Sequence, residues 1–254
     1  MTVPWIRGAR AAFVFLTRIP VGGFPYTKDD FRWAGAYFPL VGAVLGAIAG
    51  VVMLALLPAG AMAAAICCVA LSMMLTGAFH EDGLADTADA LGGAYDREKL
   101  FVILKDSRVG SFGAAALFVV LALRVALLAR LEHEALLACV LSACIARTPP
   151  VWMMAALPYV TNDEHSKSRH LTRGGPRQAW VATFLTAIVI ASAMACGLSA
   201  VRVAVVLVAL AVAAAICTWR FIVRAGGITG DFLGATEQVG ECVVLLALAM
   251  TAGA

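Results

Sequence analysis

Charge is what this chain has least of. Asp, Glu, Lys and Arg make up 14% of its 254 residues, against about 25% in an ordinary soluble chain. So little charge excludes a water-solvated globule, and 62% hydrophobic residues exclude disorder. The net charge of +3 is too small to argue for nucleic acid as a partner. No Cys-x-x-Cys stands with a histidine cluster. The seven cysteines all lie in or beside apolar stretches and read as small buried hydrophobes. No cleavable leader is expected at the opening. Its apolar run Ala11-Ala12-Phe13-Val14-Phe15-Leu16 is short, Arg18 interrupts it, and no small-residue cleavage site follows.

What the chain does have is apolar length. A helix of about 20 residues crosses the roughly 30 Å hydrocarbon layer. Seven runs meet that length or approach it, at roughly 34–57, 59–79, 111–131, 135–157, 179–198, 203–222 and 238–253. The expectation is an all-α, polytopic membrane helix bundle forming one catalytic domain over residues 1–254. The fourth run holds Pro149 and Pro150 and is expected to kink or break there. The first 19 residues predict a helix on the membrane surface, with Trp5, Phe13 and Phe15 facing lipid and Arg7, Arg10 and Arg18 facing phosphate. Counted over the loops, fifteen Lys and Arg fall on one side of these spans and two on the other. That asymmetry puts the N-terminus and the even-numbered loops in the cytoplasm. Gly42, Gly46 and Gly50 give the first span a small-xxx-small face for close helix contact, within the chain or between two copies.

Candidate chemistry gathers at the expected cytoplasmic face. In the run His80-Glu81-Asp82-Gly83-Leu84-Ala85-Asp86-Thr87-Ala88-Asp89, the three aspartates share one stripe if the segment is helical. Like charges on one stripe repel, so a cation is expected there. Hard divalent ions take carboxylate oxygens, and Mg²⁺ commonly bridges from one or two of them to phosphate. The run Lys105-Asp106-Ser107-Arg108-Val109-Gly110 joins two cations, a hydroxyl and a carboxylate ahead of a helix start, a set suited to diphosphate. Residues 226–237 hold four glycines and are expected to loop. Gly227, Thr229 and Gly230 would offer N–H and hydroxyl groups to phosphate, and Asp231 a further carboxylate. The basic loop Ser166–Arg173 offers more phosphate contacts. His80 reads equally as a polar contact at a helix end.

These motifs resemble one family, adenosylcobinamide-GDP ribazoletransferase, or cobalamin synthase. The likeness runs from Phe15-Leu16-Thr17-Arg18-Ile19-Pro20 through Phe38-Pro39-Leu40, Thr76-Gly77 and His80-x-Asp82-Gly83-Leu84-Ala85-Asp86-Thr87-x-Asp89. It continues through Asp106-Ser107-Arg108-Val109-Gly110 to Gly226-Gly227-x-Thr229-Gly230-Asp231-x-Leu233-Gly234-Ala235. The family often has a glutamate where this chain has Gln238, Glu241 matches, and Glu81 stands outside the shared pattern. The resemblance implies an inner-membrane enzyme that joins adenosylcobinamide-GDP to α-ribazole or its 5′-phosphate, releases GMP and requires Mg²⁺. For that reaction the local chemistry leads us to expect Asp82, Asp86 and Asp89 as metal ligands and Lys105, Ser107 and Arg108 on the diphosphate. Asp106 or Asp231 would take a proton or a second ion, with His80 as a third catalytic candidate. Other enzymes of the pathway are a conceivable partner class at the cytoplasmic loops. Two other readings stand beside this one. The CDP-alcohol phosphotransferases also set aspartates beside an Asp-Gly pair, but their Ala-Arg is replaced here by Ala85-Asp86. A secondary transporter would account for Arg124 and Arg147 inside spans.

Overall fold

A computed structural model describes residues 4–22, 25–160 and 174–252. It is built of helices, and the one β feature among the described residues is a single bridge between Tyr159 and Ile228. In chain order the helices are α1 (Pro4–Leu16), α2 (Lys28–Ala34), α3 (Phe38–Leu56), α4 (Ala61–Thr76), α5 (Phe79–Gly93), α6 (Arg97–Leu104) and α7 (Ser111–Arg130). There follow α8 (Ala135–Ile145), α9 (Thr148–Ala156), α10 (Pro176–Ala195), α11 (Ala200–Ala225) and α12 (Gly230–Met250). Six stretches among the described residues are long and apolar enough to cross a membrane: Lys28–Ala59, Ser111–Arg130, Glu132–Ala156, Pro176–Ala195, Ala200–Ala225 and Gly230–Met250. A seventh exists only if α4 and α5, bent 91° apart, count as one.

That bend lies at the end of the second span expected over 59–79, which α4 covers as far as Thr76. Gly77 and Ala78 both take left-handed backbone angles, φ 72° and 56°. A right-handed helix cannot run through two such residues. Gly77 closes α4 and Ala78 donates back to the Met73 carbonyl at 2.8 Å. Ala78 is the one non-glycine residue with positive φ among the described residues. α5 then leaves the line of α4. At 15 residues with four acids it is too short and too charged to cross by itself.

The last span also starts earlier than expected. Residues 230–237 are helical because Thr229 caps α12, its hydroxyl accepting from the Phe232 N–H at 3.2 Å. The prolines behave as expected. The fourth run breaks at Ala146 and Arg147, and Pro149 and Pro150 sit in the first turn of α9, where the missing N–H groups are not needed. α1 keeps Trp5 exposed, but Phe15 points inward, stacked on Phe38 and edge-on to Phe79. Arg7 bonds the Pro25 carbonyl and pairs with Asp30 at 3.3 Å, so it is tied to protein.

α12 and the broken span α8–α9 form the centre, 78% and 67% buried, with the more lipid-facing helices around them. Between helices in a bilayer, small residues and close packing supply the contact that water would otherwise drive. The glycine stripe of α3 does this inside the chain. A Cβ on Gly42 or Gly46 would overlap the carbonyl oxygens of Ala143 and Cys139, and one on Gly50 would lie 2.8 Å from Leu136 Cα. The stripe is therefore the seat of α8.

Candidate active site

Three helices meet at one end of the bundle: the length of α5 and the first turns of α7 and α12. Gly83 lets α5 lie on α12, since a Cβ there would be 2.9 Å from the Asp231 carbonyl oxygen. This close approach brings Asp231 to the aspartate stripe of α5. Asp82 is exposed, and Asp86 and Asp231 are partly exposed. Burial, and then the carboxylates of Asp82, Asp231 and Asp89, push the Asp86 carboxyl up to about 6. Three carboxylates, Asp82, Asp86 and Asp231, thus gather at this end of the bundle.

Asp89 plays a different part from its stripe neighbours. Its two oxygens accept the Gly110 N–H at 2.7 Å and the Gly113 N–H at 2.9 Å. Among the described residues no group of three or more His, Cys, Asp and Glu side chains is placed to hold a metal ion. The expected cage of Asp82, Asp86 and Asp89 is therefore not closed in the structure. The donor set that faces open space, Asp82 and Asp86, fits an ion completed by phosphate oxygens and water, as Mg²⁺ takes.

The basic loop ahead of α7 is exposed at Lys105, Ser107 and Arg108. Arg108 donates through Nε to Asp106 Oδ1 at 2.9 Å and through Nη2 to Oδ2 at 2.6 Å. The Arg108 side chain, then its backbone N–H, holds the Asp106 carboxyl down to about 2. A carboxyl that acidic is a poor proton acceptor at neutral pH.

The segment after α11 is not the open phosphate cradle its glycines implied. A Cβ on Gly227 would overlap the Pro158 carbonyl oxygen. Ile228 donates to Pro158 O at 2.9 Å, and Gly230 donates to the Tyr159 hydroxyl at 3.1 Å. Thr229 is buried and spends its hydroxyl on the α12 cap. Gly227, Thr229 and Gly230 therefore fasten α12 to the end of α9 and position Asp231. His80 is likewise buried, edge-on to Phe79, with Nδ1 3.9 Å from Glu237 Oε2. The basic loop Ser166–Arg173 lies outside the described residues.

Behind the stripe is a polar interior that sequence reasoning did not assemble. Arg124 pairs with Glu241 at 2.6 Å and Glu81 at 3.2 Å, and donates to Gln238 at 3.1 Å. Arg147 pairs with Glu237 at 2.7 Å and Glu241 at 3.1 Å. Gln238 donates to Glu237 at 3.0 Å and to Glu81 at 3.3 Å. All six side chains are buried. Beside them is a cavity of about 30 Å³, enough for one or two waters, which His80, Glu81 and Arg124 help to line. Glu81 thus brings a carboxylate against Gln238, the position where a glutamate was expected. The detectable signal was Glu237 and Glu241 one helical turn apart, together with two arginines inside spans.

The arrangement defines a class first: a polytopic helical membrane protein with a carboxylate stripe and a basic loop at one end of the bundle. A family model for cobalamin-5-phosphate synthase matches residues 8–249. Adenosylcobinamide-GDP ribazoletransferase of Leptothrix cholodnii is 36% identical over 252 residues, 95% of each chain. The protein of the same name from Allorhizobium ampelinum is 39% identical over 245 residues, 93% of each. That of Polaromonas sp. is 34% identical over 278 aligned positions, 97% of this chain and 98% of the other. No solved structure matches the chain. The chain belongs to the cobalamin-5-phosphate synthase family.

Proposed function

We propose that this chain is an adenosylcobinamide-GDP ribazoletransferase. It joins adenosylcobinamide-GDP to α-ribazole, or to α-ribazole 5′-phosphate, giving adenosylcobalamin or its 5′-phosphate and GMP. The observation that carries this reading is the stripe of Asp82 and Asp86 facing Asp231, with the segment that carries Lys105 and Arg108 tied to the same helix through Gly110 and Asp89, in a chain of this family. A ribose hydroxyl that both acceptors carry free, and so not the 5′ one, bonds through its oxygen to the phosphorus nearer the corrinoid. The bond from that phosphorus to the bridging oxygen breaks, and GMP leaves with that oxygen.

Asp82 and Asp86 would hold Mg²⁺, which when bound supplies positive charge to the diphosphate. Lys105 and Arg108 approach the same diphosphate from the loop, and Ser107 offers it a hydroxyl. Asp231, on the first turn of α12, takes the hydroxyl proton, since Arg108 keeps Asp106 too acidic for that task. We place the site on the cytoplasmic face of a bacterial inner membrane, because the Lys and Arg count favours that side fifteen to two.

The transporter reading loses its main support, because Arg124 and Arg147 are paired with the buried carboxylates Glu81, Glu237 and Glu241. The test is the purified chain in lipid vesicles, supplied with adenosylcobinamide-GDP, either acceptor and Mg²⁺. At ordinary Mg²⁺, GMP and a completed corrinoid are expected from the native chain, and from Asp82→Asn or Asp86→Asn only when Mg²⁺ is raised far above that level. Full transfer by both variants at ordinary Mg²⁺ would refute the site.

A further inference from the structure

We infer that Asp89 is a positioning residue, the pin that holds the basic loop at a fixed place against the carboxylate helix. The inference rests on the transferase reading for its functional consequence and on geometry alone for the pin.

The first N–H groups of any helix lack partners within the helix, and a side chain at the N-cap position usually accepts one of them. α7 has glycine at that position, Gly110, and no side-chain cap of its own. Asp89, from another helix, does the work instead. It takes the N–H of the cap residue Gly110 and that of Gly113, the third residue of the helix. A carboxylate there is also favoured by the partial positive charge of the helix start. The two glycines make room for it. A Cβ on Gly110 would overlap Asp89 Oδ1. One on Gly113 would overlap Oδ2 and lie 2.9 Å from the Ala85 carbonyl oxygen.

Both oxygens of Asp89 are thus engaged by backbone. Through Gly110, the carboxylate fixes the end of the segment that carries Lys105, Ser107 and Arg108. Asp82 and Asp86 lie on the same helix as the pin, so the pin sets the spacing between the metal-facing acids and the diphosphate-facing cations. Loss of the pin should weaken donor binding and leave the ion alone. Loss of a metal ligand should do the reverse.

Three variants separate the cases: Asp89→Asn, Gly113→Ala and Asp82→Asn. Each is studied in lipid nanodiscs by hydrogen exchange without substrate, and in vesicles by kinetics at varied donor and Mg²⁺. Asn can accept one of the two N–H groups and turns its amide N–H₂ on the other, and Gly113→Ala displaces the carboxylate without altering it. Both are expected to speed exchange in peptides spanning 105–113 and leave 230–237 unchanged. Both should raise KM for adenosylcobinamide-GDP roughly tenfold, the scale of one charge-assisted hydrogen bond, with the half-saturating Mg²⁺ moved by less than about twofold. Asp82→Asn is expected to move the Mg²⁺ requirement and not the loop exchange. Native-like exchange over 105–113 in both pin variants overturns the inference. So does an Asp89→Asn variant whose Mg²⁺ requirement shifts as that of Asp82→Asn does. Absence of transfer by the native chain would defeat the proposed function while leaving the exchange experiment to decide the pin.

Discussion

Replacing Arg124 by methionine should be among the most damaging single changes in the interior. The native cluster sets three carboxylates, Glu81, Glu237 and Glu241, against two guanidiniums, Arg124 and Arg147. Methionine fills much the same space and removes one cation. Glu81 loses its ion pair at 3.2 Å and Glu241 the shorter of its two, at 2.6 Å, and both carboxylates stay buried. Breaking a buried pair from one side costs about 3–5 kcal/mol, chiefly from the charge left behind. Adding Glu241→Gln removes one of the stranded charges, so the double variant should recover about 1–2 kcal/mol relative to Arg124→Met. The Glu241→Gln change alone should cost less than Arg124→Met, because Arg124 keeps Glu81 and Gln238 while Arg147 keeps Glu237. Reversible unfolding in mixed phospholipid–SDS micelles measures all three. An Arg124→Met cost below about 1 kcal/mol, or a double variant equal to the sum of the singles, would refute the charge accounting.

Two further outcomes follow from the stripe. The Asp86 carboxyl is raised from 3.8 to about 6, so the fold favours its protonated form. In metal-free protein that contribution is complete below about 4 and is lost as pH rises through about 6. The unfolding midpoint with chelator present should therefore fall across that window in the native chain and fall less in Asp86→Asn. Equal pH profiles would contradict the burial and repulsion assigned to Asp86. In the transfer assay, Asp231→Asn should abolish GMP release and Asp106→Asn should retain it. The opposite pattern would move proton acceptance to the loop.

The helices and their membrane character were legible because apolar length alone decides them. Most boundaries were legible from polar punctuation, and α7 begins at Ser111 as read. The bend between α4 and α5 was not, since Gly77 fell near the end of an expected span and Ala78 gave no sign of a left-handed turn. The start of α12 was hidden for the opposite reason. Glycines at 226, 227, 230 and 234 read as a loop, whereas α12 already begins at Gly230 and Gly234 lies against His80 and Gly83 of α5. Within the site, the spacing of Asp82 and Asp86 was readable from helical periodicity. The part played by Asp89 was not, because its partners are backbone N–H groups more than twenty residues away. The interior escaped because its ion pairs join α5, α7, α9's approach and α12, which only the fold brings together.

The hairpin of α10 and α11 bears on how such a protein can diverge. Only 28% and 17% of these spans is buried, so most of their side chains meet hydrocarbon, where one aliphatic group serves about as well as another. α12 is 78% buried and answers at once to the acids, the arginines and the α9 junction. Relatives 36% or 39% identical to this chain can therefore accumulate replacements along the outer hairpin at little cost to chemistry.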